Sequence, residues 1–79
     1  MEQFLELYES VYKDMYRLAY YYLGNAQDAE DVVGDTVLKA YEKFASLRKK
    51  ESFKSWIFTI LVNQCMTFCV RKLQEAHQS

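Results

Sequence analysis

Acidic side chains recur at three- and four-residue steps in the middle of the chain, with one leucine among them. Residues with this spacing lie on one face of a helix. Charge on the outside of a helix is most often a solvated outer face. An acidic face that also carries an apolar residue is alternatively suited to a basic protein partner. The residues of this face are Asp28, Asp31, Asp35, Leu38 and Glu42.

The other face of the same segment is apolar and predicts a helix over 25–47. Asn25 is a good N-cap, and Asp28 three residues later gives the pattern of a capping box. Gly24 before it can end the preceding helix, because glycine accepts the left-handed conformation. Gly34 lies at the edge of the acidic face, where a missing side chain leaves room for another surface. The predicted core positions are Ala26, Ala29, Val33, Thr36, Val37, Ala40, Phe44 and Leu47.

Residue types that carry out catalysis or hold a metal are sparse. The single histidine, His77, lies in the polar tail 74–79, which we expect to fray. Cys65 and Cys69 are four residues apart on one predicted helix, which is a poor geometry for a disulfide. Their expected role is that of small apolar residues in a reducing cytoplasm. We therefore expect no enzyme, no cofactor and no metal site.

Charge is distributed unevenly along the chain, although the net charge is only −1. Residues 1–47 contain four Lys or Arg against nine Asp or Glu, a balance of −5. Residues 48–79 contain six Lys or Arg against two Asp or Glu, a balance of +4. The first part is suited to a basic partner and the second to an anionic one.

The remaining patterns predict an all-α protein. Apolar residues at helical spacing predict helices over 2–23 and 53–74, and the chain has no proline and only two glycines. At 79 residues we expect a single domain, 1–79, folded as a small three-to-four-helix bundle. No stretch approaches 18 uncharged apolar residues, so we expect no membrane insertion.

The hypothesis that the second part of the chain binds an anionic partner depends on the last predicted helix and the loop before it. The loop 46–52 has three consecutive cations and is either a solvated connector or a phosphate-contacting segment. Trp56 is expected mainly in the core. Asn63 interrupts an apolar run, and it either satisfies a buried polar group or reads something outside.

Three motifs follow one another along the chain: DAEDVV, KAYEKF and SFKSWIFTILVN. Together with their surroundings they resemble region 2 of bacterial RNA polymerase sigma factors. The specific likeness is to the extracytoplasmic-function (ECF) group of the sigma-70 family, and it runs from Phe4 to Lys72. Several spaced matches in order are more specific than one short motif. The resemblance implies a helical bundle that acts by binding, without catalysis.

Partners and site residues follow from this resemblance as expectations. The acidic face would bind the clamp helices of the polymerase core, and this interpretation is favoured over a solvated outer face. The residues of the face are Asp28, Asp31, Asp35, Leu38 and Glu42. The promoter-facing loop and the start of the last helix would recognise the −10 element as single-stranded DNA. An anti-sigma protein is a further expected partner. The expected DNA-binding residues are Arg48, Lys49, Lys50, Ser52, Lys54, Asn63, Arg71 and Lys72.

This chain departs from the family pattern at three points. It has Gly34 and Asp35 where the family usually has Gln-Glu, and Val37 where the family has an aromatic residue. The segment 67–70 is apolar where basic residues are common, and a second, promoter-binding domain is not part of the sequence. The alternative function is therefore a sigma-like helical interaction module, held by a regulatory partner and without independent DNA reading.

Overall fold

A computed structural model describes the backbone of residues 2–78 and the side chains of residues 3–75. Over this range the chain forms three α-helices and no strand: α1 (Glu2–Leu23), α2 (Ala26–Lys43) and α3 (Phe53–Gln78). Two short 3₁₀ turns, Phe44–Ser46 and Lys50–Ser52, lie between α2 and α3. The predicted all-α class is confirmed.

Each helix packs against the other two around one core. In α3 the fully buried residues step by four along one strip: Phe53, Ile57, Leu61 and Cys65. The matching strip of α1 contains Phe4, Val11, Met15 and Ala19. In α2 the buried side chains are small, which lets the helix backbones approach closely; they are Ala29, Val32, Val33, Thr36 and Ala40.

The core of α2 differs from the prediction at two residues. Ala26 was predicted to be buried but is exposed, because it is the first residue of the helix. Val32 was not in the predicted stripe, yet it is buried because it faces α3 while Val33 faces α1. Thr36 tolerates full burial since its hydroxyl donates to the Val32 carbonyl at 2.8 Å.

The turn from α1 to α2 follows the predicted capping pattern. Gly24 has φ +80° and its N–H donates to the Tyr20 carbonyl at 2.8 Å. The Asn25 side chain accepts from the Asp28 N–H at 2.8 Å and donates to the Asp28 carboxylate at 2.7 Å. The reciprocal bond thus joins two side chains, whereas a standard capping box uses the N-cap backbone N–H.

The end of α2 comes earlier than predicted. The helix was expected to continue to Leu47, but it ends at Lys43 and tightens into a 3₁₀ turn. The Ser46 hydroxyl donates to the Lys43 carbonyl at 2.6 Å and the Leu47 N–H to the Phe44 carbonyl at 3.0 Å. These bonds satisfy carbonyl groups at the helix end without a glycine.

A cluster of aromatic rings holds this connection against the bundle. The Phe44 ring lies 5.3 Å from Phe4, 6.0 Å from Phe53 and 6.4 Å from Trp56, centroid to centroid. Trp56 is half-buried and its ring lies 5.8 Å from Phe53, in agreement with its expected core role. Edge-to-face pairs at these distances are favourable, so the loop leaves from an anchored point.

The third helix is longer than predicted, since it continues to Gln78. The stretch Lys50–Glu75 is long and apolar enough, by length and composition alone, to cross a membrane, which the sequence analysis had not anticipated. One strip of this stretch, made of Phe53, Ile57, Leu61 and Cys65, is covered by α1 and α2, but only 22% of the most apolar window is buried. The predicted fraying of the tail 74–79 is wrong for its described backbone, because the helix continues to Gln78. Ser79 and the side chains from 76 onward, including that of His77, lie outside the described residues.

Replacing the cap residue gives a direct test of the α1–α2 turn. We expect Asn25→Ala to lower the free energy of unfolding by about 1 kcal/mol, because two α2 end interactions are lost. Gln27→Ala, an exposed neighbour without a side-chain hydrogen bond in the described part, is the matched control. Urea unfolding followed by far-UV circular dichroism measures both, and equal stability of the two variants would contradict the capping geometry.

Candidate functional site

The acidic residues predicted for one face of α2 lie on the side of the helix opposite its buried residues. Asp31, Asp35 and Glu42 are exposed, and the Leu38 side chain between them is 64% exposed. Asp28 is half-buried and is held by its bonds to Asn25, so it serves the helix start as well. Four of the five predicted residues therefore form one open surface, with Asp28 at its edge.

Tyr41 belongs to this surface and was not predicted. Its side chain is 45% exposed one turn after Leu38, and its ring lies 5.5 Å from Phe4 at an angle of 71°. The spacing of three residues from Leu38 was the available signal. Leu38 and Tyr41 together make an apolar patch beside the acids, on the side toward α1.

The carboxylates of this face are without ion-pair partners among the described residues. The one salt bridge in that part of the structure joins Lys54 to Asp14 at 3.5 Å, on other helices. The negative charge at Asp31, Asp35 and Glu42 is therefore available to an external cation. The core packing of α2 uses none of these charges, because all of its buried residues are uncharged.

A groove between α1 and α2 opens beside this face, and the sequence had predicted only the room at Gly34 and not the groove itself. Gly34 lies at its edge, and a Cβ added there would meet no atom within 4 Å, so the predicted room for another surface exists. Burial raises the pKa of the Tyr8 phenol, with Tyr12 adding to the effect. The groove is lined by Tyr8, Tyr12, Lys13, Tyr16, Arg17, Glu30, Val33 and Gly34.

The three cations of the loop differ in their surroundings. Arg48 and Lys49 are exposed and make no ion pair or cation–π contact among the described residues. Lys50 is half-buried: its ammonium lies 4.0 Å from the Phe44 ring centroid and donates to the Leu47 carbonyl at 3.1 Å. Lys50 thus anchors the loop on the aromatic cluster, while Arg48 and Lys49 point outward.

Ser52, directly before α3, and Lys54, in the first turn of α3, are two further exposed polar residues near the loop cations. Ser52 is exposed and its N–H donates to the Lys49 carbonyl at 3.0 Å. The Lys54 ammonium pairs with Asp14 at 3.5 Å, but both side chains are well exposed, so the pair contributes little to stability. Lys54 can exchange this partner for another anion at low cost.

Asn63 is exposed, so it does not satisfy a buried polar group, and the other alternative left by the sequence stays a prediction. Its side-chain amide makes no hydrogen bond within the described part, whereas its carbonyl accepts from the Thr67 hydroxyl at 2.9 Å. The amide borders a shallow pocket lined by Ser55, Phe58, Thr59 and Val62. It is therefore free to donate to and accept from an external group.

Arg71 and Lys72 lie apart from the other cations. They are about 25 Å along the α3 axis from Lys54, at 1.5 Å per residue. Arg71 lines a groove between α2 and α3 that also contains Asp35 and Leu38. The Lys72 ammonium lies 5.5 Å from the Phe68 ring centroid. The predicted DNA-binding residues thus form two groups, one at the loop and one near the end of α3, with Asn63 between them.

The cysteines take no part in either group. Cys65 is completely buried and Cys69 half-buried, and both are free thiols. Burial raises the pKa of the Cys65 thiol, and the neighbouring Cys69 adds to the effect. The predicted role as small apolar residues agrees with these positions.

Comparison with known proteins gives a consistent result. The chain is 39% identical over 56 residues to the Bacillus subtilis RNA polymerase sigma factor SigV, covering 71% of this chain and 34% of that protein. It is 35% identical over 54 residues to the B. subtilis ECF RNA polymerase sigma factor SigW, covering 67% and 29%. The Mycobacterium tuberculosis ECF sigma factor SigM is 30% identical over 63 residues, covering 80% and 32%.

The chain spans about a third of the length of these relatives. No solved structure matches it significantly. The family model for Sigma-70 region 2 matches residues 7–74, nearly all of the three helices described above. Together with the identities to ECF sigma factors, this match shows that the chain belongs to the Sigma-70 region 2 family and is an ECF-type region 2 domain.

Proposed function

We propose that this domain acts in transcription initiation by binding the RNA polymerase core and recognising the promoter −10 element as single-stranded DNA. The observation that carries the proposal is the outer face of α2, where unpaired carboxylates lie beside an exposed leucine. Sigma factors are initiation factors, so the expected absence of catalysis agrees with family membership. The proposed place of action is the cytoplasm, where the polymerase is found.

The acidic face is proposed to bind the clamp helices of the largest polymerase subunit. Asp31, Asp35 and Glu42 provide charge complementarity for a basic helix pair, which directs encounter and fixes the register. Leu38 and Tyr41 provide the apolar patch that becomes buried. Because the opposite side of α2 packs its small residues into the core, this face is presented on a rigid element.

The loop and the start of α3 are proposed to follow the non-template strand of the opened promoter. Arg48 and Lys49, with Ser52 and Lys54, lie in one exposed stretch that can track a phosphate backbone. Lys50 is proposed to contact DNA from its position on the Phe44 ring, while it fixes the loop conformation. The polymerase supplies most of the electrostatic affinity, since this domain has a net charge of only −1.

Base reading is proposed for Asn63. An amide can donate and accept at once, which is what discrimination of a base edge requires. Its free side chain and the adjacent pocket support this role. Arg71 and Lys72 are proposed to contact upstream DNA as a separate group, because they are far along α3 from the loop.

A second candidate function is a helical interaction module held by an anti-sigma or other regulatory protein. The observation that favours it is the exposure of Met66, Val70 and Leu73 on α3. These residues have no role in the clamp or loop contacts described above.

Charge reversal on α2 tests the clamp proposal. We expect Asp31→Lys combined with Asp35→Lys to weaken binding to the polymerase core at least about tenfold, because two cations would then face a basic partner. Each exposed charge contributes about 0.5 kcal/mol or less to stability, so the fold should persist. Fluorescence anisotropy of the labelled domain measures the binding, and circular dichroism the fold.

The matched control reverses Glu6 and Glu9, which are exposed acids on α1 outside this face. This control has the same change in net charge and is expected to bind core polymerase nearly as the unmodified chain does. Equal weakening by both double variants would show that net charge, and not the α2 face, determines binding.

Substitutions in the loop test the DNA proposal. We expect Arg48→Ala and Lys49→Ala to weaken opened-promoter binding for all −10 sequences alike and to reduce the salt dependence by up to about one unit of slope per lost phosphate contact. Lys50→Ala should in addition lower the free energy of unfolding by about 1 kcal/mol, since it loses the Phe44 and Leu47 contacts. Salt titrations with polymerase present measure the slope, and an unchanged slope in all three variants would refute the phosphate contacts.

A further inference from the structure

The groove between α1 and α2 combines aromatic rings with free cations, neither of which the proposed clamp and loop contacts use. Its volume is about 520 Å³, within the range of about 300–1,000 Å³ that is typical of small-molecule sites. Its α1 wall has three tyrosines and two cations, and its α2 wall is formed by Glu30, Val33 and Gly34. A groove with this lining has the parts of a ligand site, and it is called the α1–α2 groove below.

The tyrosines of the α1 wall lie one helical turn apart and are held in place. The Tyr8 ring stacks on the buried Phe4 ring, with 6.3 Å between centroids and 7° between planes. The Tyr16 hydroxyl donates to the Ala26 carbonyl at 3.4 Å, which ties it to the start of α2. Between them, Tyr12 is 44% exposed, and its ring lies 5.9 Å from that of Tyr8. Tyr12 therefore offers accessible ring surface on an ordered wall, and ordering costs little on binding.

Lys13 and Arg17 supply positive charge to the same wall. They are four residues apart, so their side chains are neighbours on the surface of α1, and both are exposed. Neither makes an ion pair or a cation–π contact within the part of the chain that the structure describes. A guanidinium binds phosphate oxygens in a bidentate geometry, and an ammonium binds them as a point charge. The pair is therefore suited to a phosphate group.

The α2 wall supplies one carboxylate and one position without a side chain. Glu30 is exposed and has no ion-pair partner among the described residues, so its oxygens can accept from hydroxyl groups. Carboxylates bind ribose hydroxyls in this way in dinucleotide sites. At Gly34 an added Cβ would meet no atom within 4 Å, so a flat ligand can lie close to the helix backbone. The charge of Glu30 directs a phosphate toward the cations of the opposite wall.

The combination of groups selects one class of ligand. A purely apolar ligand would cover Lys13 and Arg17 without giving them a partner, which is unfavourable. Inorganic phosphate would satisfy the two cations but would leave the tyrosine rings without a contact. A planar ring that carries both hydroxyls and a phosphate uses all three parts of the groove, since bases stack on aromatic side chains.

We propose that the α1–α2 groove binds a free ribonucleotide. The base stacks on Tyr12, the phosphate binds Lys13 and Arg17, and the ribose hydroxyls donate to Glu30. Gly34 leaves the room that the base and ribose need beside α2. The proposal goes beyond the clamp and DNA contacts and does not rest on them, because none of these five residues is assigned to either.

Titration of the isotopically labelled chain with adenosine monophosphate, followed by NMR, tests the site. Adenosine and ribose phosphate are the comparison ligands, because each lacks one half of the nucleotide. We expect adenosine monophosphate to bind at least about tenfold more tightly than either, with the largest amide shift changes at Tyr12, Arg17 and Gly34. Equal affinity for adenosine monophosphate and ribose phosphate, or shift changes only outside the α1–α2 groove, would overturn the proposal.

Variants of the groove separate binding from folding. Gly34→Leu adds a side chain at the groove edge and replaces a helical glycine, so it should keep or raise stability while it weakens nucleotide binding about tenfold or more. Tyr12→Ala and Arg17→Gln should each weaken binding by a similar factor of about ten. The matched control is Lys43→Gln, which removes the same charge at an exposed cation of α2 outside the groove and should change the affinity by less than about twofold. Equal weakening by Arg17→Gln and Lys43→Gln, or unchanged affinity in both Gly34→Leu and Tyr12→Ala, would contradict the assignment.

A single-stranded oligonucleotide of about ten residues distinguishes a free nucleotide from a DNA strand. We expect it to leave bound adenosine monophosphate in place, because the loop cations proposed to follow DNA lie outside the α1–α2 groove. Displacement of the nucleotide by the oligonucleotide, lost in Tyr12→Ala, would assign the groove to a DNA strand and would overturn the proposal. All of these measurements use this chain without polymerase, so their failure would leave the clamp proposal standing.

Discussion

The burial of α3 between α1 and α2 is the constraint on which the other features depend. Phe53, Ile57, Leu61 and Cys65 are completely buried along one strip, and both neighbouring helices must present small or complementary side chains to it. In α2 this requirement uses one whole side of the helix, so its charged residues can lie only on the other. The acidic face with its exposed Leu38 is thus a geometric consequence of the core packing.

The same packing determines where the basic loop begins. Phe44 ends α2 within a cluster of rings from α1 and α3, and Lys50 is seated on that ring at 4.0 Å. The loop therefore leaves the bundle at a fixed point and returns at Phe53, a core residue. Arg48 and Lys49 between these anchors are free to contact a partner, whereas Lys50 combines a structural role with its proposed contact.

Periodicity in the sequence was sufficient for the helical class and for the opposite faces of α2. It was insufficient where two helices meet, because one amphipathic stripe cannot tell which of two neighbours a residue faces. Val32 was missed for this reason, as was the groove at Gly34. The early end of α2 depends on Ser46 and on the aromatic cluster, neither of which is a standard stop signal.

Site residues were predictable from the sequence to differing degrees. The acids of α2 could be assigned to one face by spacing alone, and the resemblance to sigma factors suggested the partner proposed for that face. The separation of Arg71 and Lys72 from the loop cations required the length of α3, and the anchoring of Lys50 required the position of Phe44. The exposure of Asn63 could not be predicted, since an amide in an apolar helix occurs in both buried and exposed settings.

The central claim is that the outer face of α2 binds the polymerase clamp helices. Mapping backbone amide chemical shifts of this domain by NMR, during titration with the clamp helices of the polymerase largest subunit, tests it most directly. We predict that the largest shift changes occur at Asp31, Gly34, Asp35 and Leu38, with α3 beyond Asn63 unaffected. Changes confined to α3 between Met66 and Leu73, or no change at saturating clamp helices, would contradict the claim.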